Sequence, residues 1–190
     1  MRCFLALEIP PEVRERLAQV GREAKRLGVR GSFVATEQIH VTLAFFGEIS
    51  EAEALQKKEI LERECAGATP FRVRVKGIGF LPDARKPRVL YAAIDSLALV
   101  ALQAKLAKAL SYDEGRAFHG HATIARVKQG NKPDVLRLLA LKFGAADFGA
   151  FEASEIALKK SILTPEGAVH SDYARIPLAS PSAPTMVSST

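Results

Sequence analysis

The stretch that decides the fold reads Ile39-His40-Val41-Thr42-Leu43-Ala44-Phe45-Phe46-Gly47, and its pattern returns as Phe118-His119-Gly120-His121-Ala122-Thr123-Ile124-Ala125-Arg126-Val127. In each, a His-x-Thr triplet is embedded in apolar residues that alternate as a strand requires. Successive strand side chains point to opposite faces, so His40 and Thr42 share one face while Ile39, Val41 and Leu43 share the other. The same parity puts His121 and Thr123 opposite Ala122 and Ile124.

Outward from the first motif, residues 2–8 alternate as a strand and residues 10–27 follow an amphipathic helical period, with Val13, Leu17, Val20, Ala24 and Leu27 inward. Pro10 and Pro11 suit the start of that helix. The motif strand, 39–46, ends at Gly47, and Ser50 with Glu53 three residues on forms a capping-box pattern for a second helix that ends near Cys65 to Gly67. At 71–80, Phe71, Val73 and Val75 alternate with Arg72, Arg74 and Lys76, predicting a strand with one solvated face. The first half reads β-α-β-α-β. Around the second motif the order returns: strand 89–95, helix 97–112, strand 121–127, helix 133–141 and strand 153–163, with a last strand at 169–178. The run 82–88, rich in Pro and charge, is a loop between the halves.

From Leu5 to His40 is 35 residues and from Leu90 to His121 is 31, which suggests an internal duplication. The expected fold is α+β: two pseudo-symmetric lobes of antiparallel sheet, helices outside, and a central cleft where the two histidines face one another. The expected domain is single and bilobal over 1–178, with approximate halves 1–81 and 88–178; the tail at 179–190 lacks core residues and is expected to be disordered.

A chain of 190 residues that is 48% hydrophobic can bury a core without staples. Cys3 and Cys65 show no pairing pattern, the N-terminus turns charged too early for a signal peptide, and no apolar run reaches membrane length. A soluble, cytoplasmic protein is the expectation, with no membrane partner. The net charge of +6 and pI near 9.5 favour polyanionic partners, although basic residues that merely solvate helix faces produce the same balance.

An imidazole exchanges a proton near neutrality, and a hydroxyl two residues away can donate to a phosphate oxygen. Opening a 2′,3′-cyclic phosphate needs a base to activate water and an in-line acid to protonate the departing ribose oxygen, which two facing histidines supply. A single His-x-Thr is most often an ordinary polar pair on a wet strand face; two copies at equivalent places are not. Of four histidines only His170 lies away from the motifs. His119 shares the parity of His121 and could chelate a metal with it, but no carboxylate or thiol flanks either motif at ligand spacing.

These motifs resemble the two-histidine (2H) phosphoesterases, and within them the RNA 2′,3′-cyclic phosphodiesterases first described as 2′-5′ RNA ligases. The likeness extends over nearly the whole chain: MRCFLALEIPPEVRERL resembles the family's opening strand and helix, and SILTPEGAVHSDYARIPL its closing hairpin. The resemblance implies that His40 is the general acid and His121 the general base, that Thr42 and Thr123 hold the phosphate oxygens, and that no metal or other cofactor takes part. It further implies that Arg126 neutralises charge on the phosphate and that Phe45 faces the nucleobase; His119, beside the second motif and of its parity, is a further candidate for substrate binding. Arg126 has the wrong parity unless a bulge brings it round; Phe45 by parity alone suits the core equally well. Gly120 stands where the family commonly has proline, and Ala44 where it has a basic residue. The implied partner is RNA bearing a 2′,3′-cyclic phosphate, tRNA fragments being candidates, acted on by a monomer, with 2′-5′ ligation as the reverse reaction. Arg72, Arg74 and Lys76, with Arg85, Lys86 and Arg88, are candidates for an RNA-tracking surface. Alternative readings are a phosphodiesterase on a small cyclic nucleotide or a 2′-5′ oligonucleotide, and a non-catalytic RNA-end binder.

Overall fold

The computed structural model describes residues 1–164 and 167–178, so the tail reading at 179–190 lies outside the described residues. In chain order the elements are β1 (Arg2–Glu8), α1 (Pro11–Arg26), β2 (Gly31–Phe33), a 3-10 turn (Thr36–Gln38), β3 (His40–Glu48), α2 (Glu51–Cys65), β4 (Phe71–Leu81), β5 (Val89–Asp95), α3 (Leu97–Ala109), β6 (His121–Val127), α4 (Pro133–Phe143), β7 (Asp147–Ala153), β8 (Glu155–Thr164) and β9 (Gly167–Pro177). The helices begin for local reasons. Pro11 opens α1 and Pro133 opens α4 at positions whose N–H would be unpaired anyway. Ser50 and Glu53 close a reciprocal capping box on α2, and Ser96 Oγ accepts from Leu99 N–H at the start of α3.

The strands form one antiparallel sheet in the order β7-β4-β5-β6-β3-β1-β8-β9, with β2 against β6. Its two four-strand lobes meet at β6 and β3 through a single residue pair, Val41 opposite Ala122. Beyond that pair the strands part, and the carbonyls they expose find other donors. Ile124 O accepts from Val34 N–H at 2.9 Å, while Leu43 O accepts from the Gln103 side-chain amide at 3.1 Å. The buried face carries Leu5, Leu7, Val41, Leu43, Val73, Val75, Leu90, Ala92 and Ile124, packed with Leu17 and Val20 of α1, Leu61 of α2, Leu99 and Leu106 of α3 and Leu139 of α4. The other face is open, and the motif histidines and threonines stand on it.

The lobes are not the two halves of the sequence. β4 lies in the lobe of the second motif, between β5 and β7, and β8 and β9 lie in the lobe of the first, beside β1. Elsewhere the structure departs from periodicity where periodicity is interrupted. The strand expected at 153–163 is β8, and β7 before it was not expected, because Gly149, at φ +114, breaks the alternation of Asp147–Ala153. The three residues of β2 are too few to show a period. The helix expected at 97–112 ends at Ala109, just before Ser111 turns to φ +50.

Candidate active site

An antiparallel pair has a local twofold axis through each pair of opposed residues, and the axis through Val41 and Ala122 exchanges His40 with His121 and Thr42 with Thr123. Val41 and Ala122 are fully buried, so the four motif side chains emerge together on the opposite, open face. One register pair joins two triplets far apart in sequence into one cluster.

Both imidazoles are anchored in the same way. His40 Nδ1 lies 2.7 Å from Gln38 O, and His121 Nδ1 lies 2.8 Å from His119 O, in each case the carbonyl two residues back. A carbonyl only accepts, so Nδ1 carries the hydrogen and Nε2 is the nitrogen left for chemistry. His40 Nε2 is 3.1 Å from Thr42 Oγ1. With the ring neutral, the Thr42 hydroxyl donates to Nε2. With Nε2 protonated the bond reverses, and the hydroxyl hydrogen is released toward the cleft.

The surroundings of the two rings differ. His40 packs against Phe4 at 5.0 Å between ring centres and against His170 at 5.4 Å, the latter edge-on. Glu8 stands opposite His40 on β1; it pairs with Lys159, which also donates to Asp172 at 2.8 Å. Burial holds His40 below the ordinary histidine pKa; the Gln38 bond and Glu8 oppose that shift, while Lys159 and His121 add to it. His170 is pushed down to about 4, mainly by burial and then by His40. On the other lobe Tyr91, opposite Thr123 on β5, sets its ring 5.6 Å from His121, edge-on. Gly79 makes that possible, since a Cβ there would meet the Tyr91 hydroxyl at 2.5 Å.

Each motif strand carries a bulge immediately after its threonine. In β3 the pairing with β1 slips between Thr42 and Ala44; in β6 the pairing with β5 slips between Thr123 and Ala125. Leu43 and Ala44 are accordingly both buried, as are Ile124 and Ala125, and the next residue regains the open face. That residue is Phe45 in one strand and Arg126 in the other. Phe45 is 44% exposed, with the Arg2 guanidinium 5.1 Å from its ring centre. The His119 side chain is exposed just outside β6, so the contact it visibly makes in the site is through its carbonyl.

The basic side chains of β4 lie farther out. Arg72 and Arg74 line a cavity of about 380 Å³ with Arg16, and Arg74 is paired with Asp147. Arg85 and Lys86 sit in the exposed 82–88 loop, their N–H groups held by the Asp83 carboxylate. Among the described residues, no three His, Cys, Asp or Glu side chains group as metal ligands, and no helix is long and apolar enough to cross a membrane. Sequence reading missed Gln38, Phe4, Tyr91 and the role of His170. Gln38 acts on His40 through its carbonyl, which no side-chain pattern reveals; for His170 the scarcity of histidine was the available signal.

Comparisons with known proteins bear on the family and the fold. The LigT-like phosphoesterase family matches residues 7–91. An RNA 2′,3′-cyclic phosphodiesterase of Methanocaldococcus jannaschii is 33% identical, over 90% of this chain and 96% of its own length. One of Archaeoglobus fulgidus is 30% identical, over 90% and 97%. Among solved structures, a Thermus thermophilus protein superposes with a TM-score of 0.80 at 26% identity, covering 95% of this chain and 99% of that one. Escherichia coli LigT complexed with 3′-AMP shares the fold at a TM-score of 0.75 and 22% identity, covering 93% and 97%.

Proposed function

Because this chain belongs to the LigT-like phosphoesterase family, we propose that it hydrolyses the 2′,3′-cyclic phosphate at an RNA end to a 2′-phosphate. The observation that carries the reading is the pair of twofold-related imidazoles, each anchored through Nδ1 with Nε2 left for proton transfer. In the hydrolytic direction His121 Nε2 takes a proton from water as its oxygen attacks phosphorus. The bond from phosphorus to the 3′ oxygen breaks, and His40 Nε2 gives that oxygen its proton. The Thr42 and Thr123 hydroxyls donate to the non-bridging oxygens, whose charge grows in the transition state. Arg126, brought to the open face by its bulge, adds a cation there. Phe45, at the equivalent position across the axis, offers a ring on which a base can stack without sequence being read.

Acid, base and oxyanion donors are all side chains, so this route calls for no metal or nucleotide cofactor. RNA fragments with cyclic phosphate ends, tRNA fragments among them, are the proposed substrates; the same chemistry run backwards would join ends 2′-5′. A monomer acting in the cytoplasm completes the proposal. His40→Ala and His121→Ala should each lower turnover of a nucleoside 2′,3′-cyclic phosphate by roughly 10² to 10⁴. Wild-type rates in both variants, with circular dichroism unchanged, would show the acid and base assignment to be wrong.

A further inference from the structure

His170 belongs to neither motif, yet β9 sets it against His40. Its ring centre lies 5.4 Å from that of His40, edge-on, and 4.8 Å from that of Phe4, which itself contacts His40 at 5.0 Å. Its backbone N–H donates to Gln38 Oε1 at 3.0 Å, while the carbonyl of that same Gln38 receives His40 Nδ1–H. Gln38 thus fixes both histidines, one through its side chain and one through its backbone. His170 Nδ1 is buried with no partner among the described residues. Hydrogen bonding by this nitrogen to the described residues is therefore not what holds the ring in place; its packing on Phe4 and His40 is what the structure shows.

We propose that His170 is a positioning residue for His40: its ring and Phe4, packed on each other, back one flank of the His40 imidazole and help hold it with Nδ1 on the Gln38 carbonyl and Nε2 toward the cleft. The inference rests on the reading of His40 as the proton donor. The torsion that turns an imidazole about its Cβ–Cγ bond is broad and nearly twofold, so one hydrogen bond leaves the ring room to swing. Two mutually packed rings against one flank, added to that hydrogen bond, narrow the swing, and proton transfer in line with a departing oxygen tolerates little misplacement. The packed rings also keep water from that flank of the imidazole. The groups facing His40 are Glu8 on β1, Lys159 on β8, His121 on β6 and His170 on β9, and the first favours the imidazolium while the next two disfavour it. His170, titrating at about 4, is neutral at neutral pH, so it acts there by shape and exclusion of water rather than by charge.

The test compares His170→Ala with His170→Phe, which keeps a ring against His40. His170→Ala should lower kcat on a nucleoside 2′,3′-cyclic phosphate about tenfold with KM little changed. NMR titration of the His40 imidazole in that variant should show its pKa rising toward the ordinary value and its Nδ1–H tautomer losing dominance. His170→Phe should restore both. If His170→Ala does not fold, His170→Gln, polar but ringless, takes its place with the same expectation. Unchanged kcat and an unchanged His40 titration would overturn the proposal. So would a raised KM at constant kcat, which marks a substrate contact, or a His170→Phe enzyme as impaired as His170→Ala, which marks a need for the nitrogen. The titration needs no substrate: a wild-type protein that turns over no cyclic phosphate sinks the hydrolase reading, whereas an unmoved His40 titration sinks the positioning role.

Discussion

His40 and His121 share one hydrogen-bond pattern, but their neighbours make them unlike. His40 sits against a pair of packed rings beside an ion pair, and its imidazolium is the stronger acid for that burial. The same burial has a stability consequence. An imidazole whose folded pKa lies below its unfolded value binds fewer protons when folded, so its contribution is whole above about pH 6.5 and is lost as pH falls toward the folded value. For His170 that window runs down to about 4, and His40 shifts in the same direction. The melting temperature should therefore fall between about pH 7.5 and 5, and fall less in His170→Phe; equal losses in the two proteins would contradict the shift. At this scale the sequence yielded both His-x-Thr pairs, because scarce histidines repeat in a strand period. It did not yield Gln38, whose working atom is a main-chain oxygen that every residue possesses.

The decisive elements are the two bulges. Strict alternation would send Phe45 and Arg126 to the core face, and the extra residue after each threonine returns them to the cleft. Parity alone shows that Arg126 needs a bulge, but the slip of β3 that carries Phe45 was not legible, since Ala44 reads equally well in or out. The β3 bulge depends on α3: Gln103 is buried and gives its amide to the Leu43 carbonyl, which faces no strand once β3 leaves β6. Gln103→Leu should cost about 1–3 kcal/mol in urea unfolding, the penalty for stranding a buried carbonyl. A loss under about 0.5 kcal/mol would mean that the bulge holds itself. Elements bounded by caps were read closely, as α2 with its capping box shows; β2 and β7 escaped because one is three residues long and the other is interrupted by Gly149.

At the scale of the molecule, each lobe borrows strands from the other half of the chain. We infer a duplication with halves at 1–81 and 88–178, each lending its last strands across the axis. The sequence suggests the repeat through element order, but it is silent on the exchange of strands, since local periodicity says nothing of which edge a strand joins. A chain opened in the 82–88 loop should then give fragments that are unfolded singly and fold together, read by circular dichroism and gel filtration; cooperative folding of 1–81 alone would refute the inference. The exchange ties the lobes into one body, and the single Val41 and Ala122 pair at their join sets the geometry on which the proposed reaction depends. That reaction is tested most directly by 31P NMR of a short RNA ending in a 2′,3′-cyclic phosphate. With wild-type protein the cyclic signal should give way to a 2′-monoester alone, and with His40→Ala it should persist. A cyclic signal that endures with the folded wild-type protein, or a 3′-monoester product, would contradict the account.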